Sequence, residues 1–193
     1  MTDETVLPRP AGRYCPATNL VLVGFMGAGK TTVGQAVAER LGWRFADLDR
    51  LVETREGQTV SQIFAQDGEA RFRQLECAAL EEVVAAPDFR FLVLALGGGA
   101  FVSKPVREVL AEREIPTVWL DAPAEELFRR CEQPGVVRPL RRSFQEFSEL
   151  YKQRLSSYRQ ANLHVVTNAK EISAVADEII EELALVPLSR SSE

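Results

Sequence analysis

Residues 24–31, GFMGAGKT, combine glycines, a lysine and a threonine in the spacing GxxxxGK[ST]. Glycines let backbone N–H groups approach a polyphosphate closely, while the Lys30 ammonium can contact the β- and γ-phosphates and the Thr31 hydroxyl can bind Mg²⁺. An apolar stretch precedes the segment and a helical pattern follows it, which is the context that this motif requires. The segment therefore predicts a P-loop nucleotide site. Its other predicted nucleotide-binding residues are Gly27, Ala28, Gly29 and Thr32.

Two aspartates, Asp47 and Asp49, follow the second apolar stretch of the chain. If this segment stays extended, alternation places both carboxylates on the same side, near the phosphate loop. The third apolar stretch ends in glycines 97–99 and offers no acid, so Asp47 is the best candidate to hold Mg²⁺ together with Thr31. Asp49 is then free to accept hydrogen bonds from the hydroxyl groups of a second substrate. N-capping of the following helix by one or both aspartates is the alternative interpretation.

Residues 97–99 are consecutive glycines at the end of a predicted strand, where they cost conformational entropy and remove side chains from a ligand-binding position. They indicate backbone pressed against a small substrate, with a tight strand-to-helix turn as the alternative. On the long helical segment before them, Arg73 and Glu76 are three residues apart and so share one helix face. An intrahelical ion pair is the common outcome of that spacing, which taken alone indicates no function.

Five short apolar stretches alternate with segments of helical periodicity, which predicts a mainly parallel sheet covered by helices on both faces. The predicted strands are 19–23, 44–46, 91–96, 116–120 and 163–167. The predicted helices are about 30–41, 47–56, 60–86 with a break near Gly68, 104–113, 123–132, 143–161 and 170–184. Ser143 and Glu146 have the spacing of a capping box. In such sheets ligands bind beyond the carboxyl ends of the strands.

The chain of 193 residues and 21.5 kDa has 46% hydrophobic and 26% charged residues, which is typical of one globular domain. None of its apolar stretches approaches the roughly 20 residues that span a bilayer, and residues 1–17 lack the pattern of a signal peptide.

Cys15, Cys77 and Cys131 form no CxxC pair, which predicts a reduced, cytoplasmic protein. The net charge of −5 argues against general nucleic-acid affinity. Segment 129–159 nevertheless holds eight basic and three acidic residues, which indicates either an anionic ligand or a solvated helix face.

Taken together, these motifs resemble those of the shikimate kinase family. The signature of that family begins with a basic residue, a glutamate three positions later and an apolar residue four positions after that. Two adjacent apolar residues and a Ser/Ala-x-Gly-Gly-Gly stretch follow. The matching residues are Arg73, Glu76, Leu80, Val93-Leu94, Ala95-Leu96-Gly97-Gly98-Gly99 and Phe101. The similarity covers about residues 19–184. It implies an α/β protein with a three-layer α-β-α P-loop NTPase fold, a five-stranded parallel sheet and a mobile lid. It also implies an enzyme that uses ATP to phosphorylate the 3-hydroxyl of shikimate in the chorismate pathway.

The resemblance further implies roles for individual residues. Arg73 and Arg154 would bind the substrate carboxylate, with Glu76 orienting Arg73, and the paired N–H groups of a guanidinium suit that task. Asp49 would bind the attacking hydroxyl and take its proton. The glycines would contact the substrate through backbone groups. These are Gly97, Gly98 and Gly99.

A lid at about 133–143 is also implied, with Arg138 reaching the transferring phosphate and stabilising charge in the transition state. Lid closure would exclude water, which would otherwise compete as the acceptor. The resemblance assigns the adenine contacts to Lys170 and to either Arg130 or Arg129. The predicted catalytic residues are Lys30, Asp49 and Arg138.

The expected organisation is a flexible leader (1–17), one kinase domain (18–186) and a flexible tail (187–193), acting as a monomer on ATP and shikimate. A related P-loop kinase for gluconate or a nucleoside monophosphate is one alternative, and a nucleotide-binding regulatory module without turnover is another. Asp49 and Arg73 favour a hydroxylated acid as the acceptor, which disfavours a gluconate or nucleoside monophosphate kinase. The residues expected to carry phosphoryl transfer are all present, which argues against a module without turnover; they are Lys30, Thr31, Asp47 and Arg138. A GTPase is disfavoured because the chain has no Asn-Lys-x-Asp motif.

Overall fold

All five predicted strands form, and they pair in parallel in a single sheet. The structure is a computed structural model that describes residues 17–87, 89–132 and 143–188. The strands are β1 (Asn19–Val23), β2 (Arg44–Asp47), β3 (Leu92–Ala95), β4 (Thr117–Asp121) and β5 (Leu163–Val166). Their order in the sheet is β2-β3-β1-β4-β5, which places β1 at the centre. No strand boundary differs from its prediction by more than one residue.

The helices also agree with the periodicity of the sequence. They are α1 (Lys30–Leu41), α2 (Leu48–Glu56), α3 (Val60–Ala85), α4 (Lys104–Glu112), α5 (Ala124–Cys131), α6 (Phe144–Tyr158) and α7 (Ile172–Glu182). The largest difference lies at the end of α6, which was predicted to continue to residue 161. There the N–H groups of Gln160 and Ala161 donate to carbonyls three residues back, so the chain leaves the helix through a tighter turn.

Helix caps account for several of these boundaries. The predicted capping box is confirmed, because Glu146 N donates to Ser143 Oγ at 3.3 Å and Ser143 N donates to Glu146 Oε2 at 2.9 Å. The predicted break in α3 lies at Gly68, which has φ 80° and ψ 174°. A second capping box, between Thr59 and Gln62 at the start of α3, was not predicted.

The core of the molecule is the sheet with the helices packed against it. Every residue of β3 is buried, as is each of residues 20–23 in β1, because helices cover both faces of the central strands. Trp43 and Trp119 are also buried. Among the helices of the described residues, none is both long enough and apolar enough to cross a membrane.

The sheet brings three separate segments of the chain together at the carboxyl ends of its strands. In the parallel register Leu22 of β1 and Asp47 of β2 both lie opposite Ala95 of β3. Leu96 N then donates to Leu22 O at 3.0 Å, which holds the start of the glycine segment beside the end of β1. The phosphate loop, the aspartates and the three glycines are therefore neighbours at the carboxyl ends of β1, β2 and β3.

Candidate active site

The phosphate loop connects β1 to α1, and its backbone conformation requires glycine. Gly27 and Gly29 have φ values of 82° and 90°, in the left-handed region that other residues rarely adopt. A Cβ atom on Gly27 would also lie 2.5 Å from Leu127 O of α5. The loop ends at the N-terminus of α1, where unpaired N–H groups and the helix dipole favour an anion. This geometry suits a bound phosphate.

Lys30 and Thr31, the first two residues of α1, contact the start of this loop and the end of β2 respectively. Lys30 Nζ donates to Gly24 O at 2.9 Å and to Phe25 O at 3.1 Å, so the ammonium lies across the loop. Thr31 Oγ1 donates to Asp47 Oδ2 at 3.1 Å. The predicted phosphate-binding cation and the two predicted magnesium ligands are thus adjacent.

Asp47 performs the capping role that was the alternative interpretation, and it also faces Thr31. Its Oδ1 accepts a hydrogen bond from Asp49 N at 3.1 Å and caps α2, while its Oδ2 bonds Thr31. A hydroxyl and a carboxylate are hard oxygen ligands, which fit Mg²⁺ when phosphates and waters supply the remaining ligands. The described residues contain no group of three or more His, Cys, Asp or Glu that could hold a metal ion on its own.

Asp49 reaches the site from a helix, not from an extended strand as predicted. The strand ends at Asp47, and Asp49 lies in the first turn of α2. The prediction that strand alternation aligns the two carboxylates is therefore wrong, because helix geometry intervenes. The Asp49 carboxylate does not cap the helix: its Oδ1 is buried and has no hydrogen-bond partner among the described residues. Burial, and then the nearby Asp47 charge, raise the pKa of Asp49.

The three glycines after β3 are required mainly for space. None of them has a positive φ. A Cβ atom on Gly97 would collide with Asp49 Oδ1 and lie 2.6 Å from Glu76 Oε1, and one on Gly99 would collide with the guanidinium of Arg73. A turn is also present, because Ala100 N donates to Gly97 O at 3.1 Å. The turn that was the alternative interpretation is therefore present, and close approach of these side chains explains why Gly97 and Gly99 must lack a side chain. Contact of this backbone with a substrate stays a prediction.

Arg73 and Glu76 form the intrahelical pair that their spacing predicts, at the edge of this glycine segment. Arg73 Nη1 donates to Glu76 Oε2 at 2.7 Å, and Nη2 donates to Glu69 Oε1 at 3.1 Å. Glu76 is fully buried, and burial raises its pKa to about 7 in spite of the Arg73 charge. The pair holds the Arg73 guanidinium over Gly99.

Arg154 and Tyr158 of α6 reach the same glycines from another direction. Arg154 Nη1 donates to Gly98 O at 2.9 Å, and the Tyr158 hydroxyl donates to the same carbonyl. Tyr158 is fully buried, and burial raises its pKa to about 12. The two predicted carboxylate-binding arginines thus converge on one glycine segment. An open cavity of about 330 Å³ lies between them; its lining residues are Glu69, Arg73, Gly99, Val102, Ser103 and Arg154.

Of the predicted adenine contacts, Arg130 lies against the phosphate loop. Arg130 Nη1 donates to Thr167 Oγ1 at 3.0 Å and lies 3.4 Å from Gly27 O, so it links the loop to the end of β5. Arg129 is 64% exposed and, within the described parts of the chain, its hydrogen bonds go to Glu126. This geometry favours Arg130 over Arg129. Lys170 pairs with the half-buried Glu178 of α7, and Arg138 with most of the predicted lid lies outside the described residues.

Sequence reasoning missed one contributor to the site. Glu69, the second carboxylate on Arg73, lies four residues before it. Tyr158, four residues after Arg154, was expected either to brace that arginine or to pack, and it is buried and donates to the carbonyl that Arg154 also contacts. Side chains four apart on a helix are neighbours, so this spacing was the available signal. It is a weak signal, because many such pairs occur on helices without any function.

The fold and site define a P-loop kinase with a second pocket that is lined by two arginines. The sequence matches the shikimate kinase family model over residues 26–184. A shikimate kinase of Moorella thermoacetica is 41% identical over 167 residues, which cover 86% of this chain and 94% of that protein. One from Persephonella marina is 36% identical over 84% of this chain and 96% of that protein. The chain belongs to the shikimate kinase family and is a kinase that uses ATP as its phosphoryl donor, as the motifs predicted.

Solved structures agree with this assignment. A shikimate kinase of Acinetobacter baumannii in complex with shikimate superimposes with a TM-score of 0.79 at 36% identity, covering 87% of this chain and 93% of that one. A gluconokinase of Sinorhizobium meliloti reaches a TM-score of 0.59 at 22% identity, which shows a common fold alone. The predicted five-stranded α/β fold is therefore confirmed.

Proposed function

We propose that this chain transfers the γ-phosphate of ATP to the 3-hydroxyl of shikimate through the cluster around Gly97–Gly99. The observation that carries the proposal is the convergence of Arg73, Arg154 and Asp49 on these three glycines, beside the phosphate loop. Two guanidinium groups and one buried carboxylate complement an acceptor that has both a carboxylate and hydroxyl groups. Family membership supports the same activity.

Arg73 and Arg154 bind the shikimate carboxylate in this proposal. They come from different helices, and each is already held by other groups: Arg73 by two glutamates and Arg154 by Gly98 O. Guanidinium groups held in this way lose little side-chain entropy on binding, so more of the pairing energy contributes to affinity. Backbone groups of Gly97, Gly98 and Gly99 contact the rest of the ring.

Asp49 accepts the hydrogen bond, and then the proton, of the attacking hydroxyl. Its buried Oδ1 lacks a partner among the described residues, which leaves an acceptor available to the substrate. Its raised pKa makes it a better proton acceptor than an ordinary aspartate. Lys30 stabilises charge on the transferring phosphoryl group, and Arg138 contributes to the same task from the lid at about 133–143.

Thr31 and Asp47 hold Mg²⁺, which would neutralise charge on the β- and γ-phosphates of ATP. The Thr31–Asp47 hydrogen bond supports this assignment, because it places two hard oxygen donors beside the phosphate loop. The phosphates themselves bind the N–H groups of the loop. The predicted nucleotide contacts are Gly27, Ala28, Gly29, Lys30, Thr31 and Thr32. Arg130 and Lys170 contact the adenine, and the Arg130 bond to Thr167 supports its placement there.

The decisive experiment measures ADP release from ATP and Mg²⁺ with shikimate as acceptor. Gluconate, AMP and a reaction without acceptor are the controls. Turnover with shikimate alone, and a product phosphorylated on the 3-hydroxyl by NMR, is the expected result. Nucleotide binding without turnover on any acceptor would instead support a regulatory module, and turnover with gluconate or AMP would move the acceptor assignment to a different P-loop kinase.

The remaining proposals concern the whole protein. We propose a cytoplasmic monomer with one kinase domain (18–186), without nucleic-acid partners. The leader (1–17) and the tail (187–193) that the sequence predicts lie largely outside the described residues. Neither Cys77 nor Cys131 forms a disulfide within the described residues, which supports a reducing compartment, and the negative net charge disfavours nucleic acid. Light scattering after gel filtration tests the oligomeric state, since a single 21.5 kDa species is expected.

A further inference from the structure

The side chain of Phe25 lies where the phosphate loop meets α6. It is buried, and three residues of α6 contact its ring. The ring centroid lies 4.9 Å from that of Phe147, 5.5 Å from that of Tyr151 and 5.3 Å from Cζ of Arg154. Positions 147, 151 and 154 follow the i, i+4, i+7 spacing of one helix face. A single side chain of the phosphate loop thus receives the face of α6 that carries Arg154.

Among the described residues, both Gly98 and Phe25 contact the Arg154 guanidinium. Its Nη1 donates to Gly98 O at 2.9 Å, and its Cζ lies over the Phe25 ring. A cation over the face of an aromatic ring is attracted by the ring quadrupole, more strongly where water is excluded. A long flexible side chain that is held in this way is already ordered before a ligand arrives.

Phe25 also contacts the nucleotide-binding machinery through its backbone. Its carbonyl oxygen accepts hydrogen bonds from Lys30 Nζ at 3.1 Å and from Ala28 N at 3.2 Å. The same residue therefore contacts the predicted phosphate-binding lysine through its main chain and the predicted carboxylate-binding arginine through its side chain. No other assignment above gives the Phe25 side chain a role.

We propose that Phe25 is a positioning residue for the acceptor, whose ring holds the Arg154 guanidinium in the orientation that pairs with the shikimate carboxylate. The proposal rests on the proposed function, because it requires Arg154 to bind that carboxylate. The alternative is that the Phe25 ring only fills space between the phosphate loop and α6. In that case its removal would lower the stability of the protein without a selective loss of affinity for the acceptor.

The test is a double-mutant cycle with Phe25→Leu and Arg154→Gln, in which calorimetry measures the Kd values of shikimate and ADP. Phe25→Leu is expected to raise the Kd of shikimate roughly threefold to tenfold, in line with the strength of a partly desolvated cation–π contact. The Kd of ADP should change less than about twofold, and Phe25→Leu should have almost no further effect on shikimate in the Arg154→Gln background. Phe25→Met replaces Phe25→Leu if the latter does not fold.

Phe147→Leu is the matched control. It removes another aromatic partner of the same ring on the same helix face, but it leaves the contact between Phe25 and Arg154. An equal loss of shikimate affinity in this variant, or additive effects in the cycle, would overturn the proposal. If Arg154→Gln itself leaves the Kd of shikimate unchanged, the carboxylate assignment fails and Phe25 loses its proposed task with it. If Arg154→Gln weakens binding but Phe25→Leu does not, the inference about Phe25 alone is wrong.

Discussion

Asp49 Oδ1 and Glu76 Oε1 approach the same point in the structure, the position that a Cβ atom on Gly97 would occupy. Both oxygens are buried, and neither has a hydrogen-bond partner within the described parts of the chain. Buried acceptors without donors are unfavourable, so they mark a place where water or a ligand is expected to donate. A substrate with several hydroxyl groups suits that place.

Gly97→Ala tests this relationship directly. The added methyl group would displace the Asp49 carboxylate, the Glu76 carboxylate or the backbone of residue 97. Because a misplacement of about 1 Å at a reacting group can cost roughly 100-fold in rate, we expect kcat with shikimate to fall by about that factor. Gly98→Ala is the comparison, since its Cβ would have no neighbour closer than 3.4 Å. Comparable losses in the two variants would contradict the steric argument.

The stability of the protein should depend on pH through Glu76. Its pKa in the folded state is about 7, above the ordinary value of 4.5, because burial disfavours the charged form. The folded state therefore retains a proton that the unfolded state releases, and the free energy of unfolding should fall as pH rises from about 4.5 to about 7. The expected decrease is about 3 kcal/mol.

Urea unfolding between pH 4.5 and 8 measures this decrease. In Glu76→Gln the decrease should be much smaller, whereas Glu82→Gln, at an exposed position of the same helix, should retain the slope of the parent. A slope that is identical in the parent and in Glu76→Gln would assign the effect to other groups. Asp49, whose pKa is also raised, would be the next candidate.

Arg73→Ala should weaken acceptor binding and leave nucleotide binding intact. A charge-assisted hydrogen bond contributes about 1.5–3 kcal/mol, so the Kd of shikimate is expected to rise roughly 10-fold to 100-fold. Isothermal calorimetry with shikimate and, separately, with ADP makes the measurement. Arg55→Ala, which removes an exposed arginine paired with Glu82, is the control and should bind shikimate as the parent does. Unchanged affinity in Arg73→Ala would refute the carboxylate assignment.

Substitutions of Asp47 can separate its two roles. Asp47→Asn keeps an oxygen that can cap α2, so thermal stability should change little, but it removes the charge that attracts Mg²⁺. The Mg²⁺ concentration needed for half-maximal activity should therefore rise. Asp47→Ala loses the cap as well and should be less stable by about 1 kcal/mol. A parent-like Mg²⁺ requirement in Asp47→Asn would reduce Asp47 to a cap.

The elements of the fold were predictable because their signals are local. Short stretches of three to six residues mark the strands, and the Ser143–Glu146 spacing marks the start of α6 within the chain itself. The phosphate loop was predictable for the same reason, since residues 24–31 form a complete site in one segment. Where a local signal failed, as at the end of α6, the chain left the helix through a turn that periodicity alone does not distinguish from a further helical turn.

The acceptor site was predictable in its residue types but not in its geometry. Asp49 was identified from its place after the second strand, and Arg73 and Arg154 were assigned to the acceptor by resemblance. Nothing in their own segments shows that they converge. The carboxylates of Asp47 and Asp49 were predicted to lie on the same side of a strand. In the structure α2 begins at Leu48, between the two residues, so the two carboxylates have different environments. Phe25 was not identified at all, because its contacts lie more than a hundred residues away in α6.

By itself the sequence determined the class of the protein, its nucleotide loop and the succession of strands and helices along the chain. Each of these depends on residues that are close together in the chain. Tertiary structure decided that Asp47 both caps α2 and faces Thr31, that Arg130 rather than Arg129 lies beside the phosphate loop, and that Gly97 and Gly99 are needed for space. These outcomes depend on contacts between distant segments, whose register is set by pairing in the sheet and by packing of helices against it.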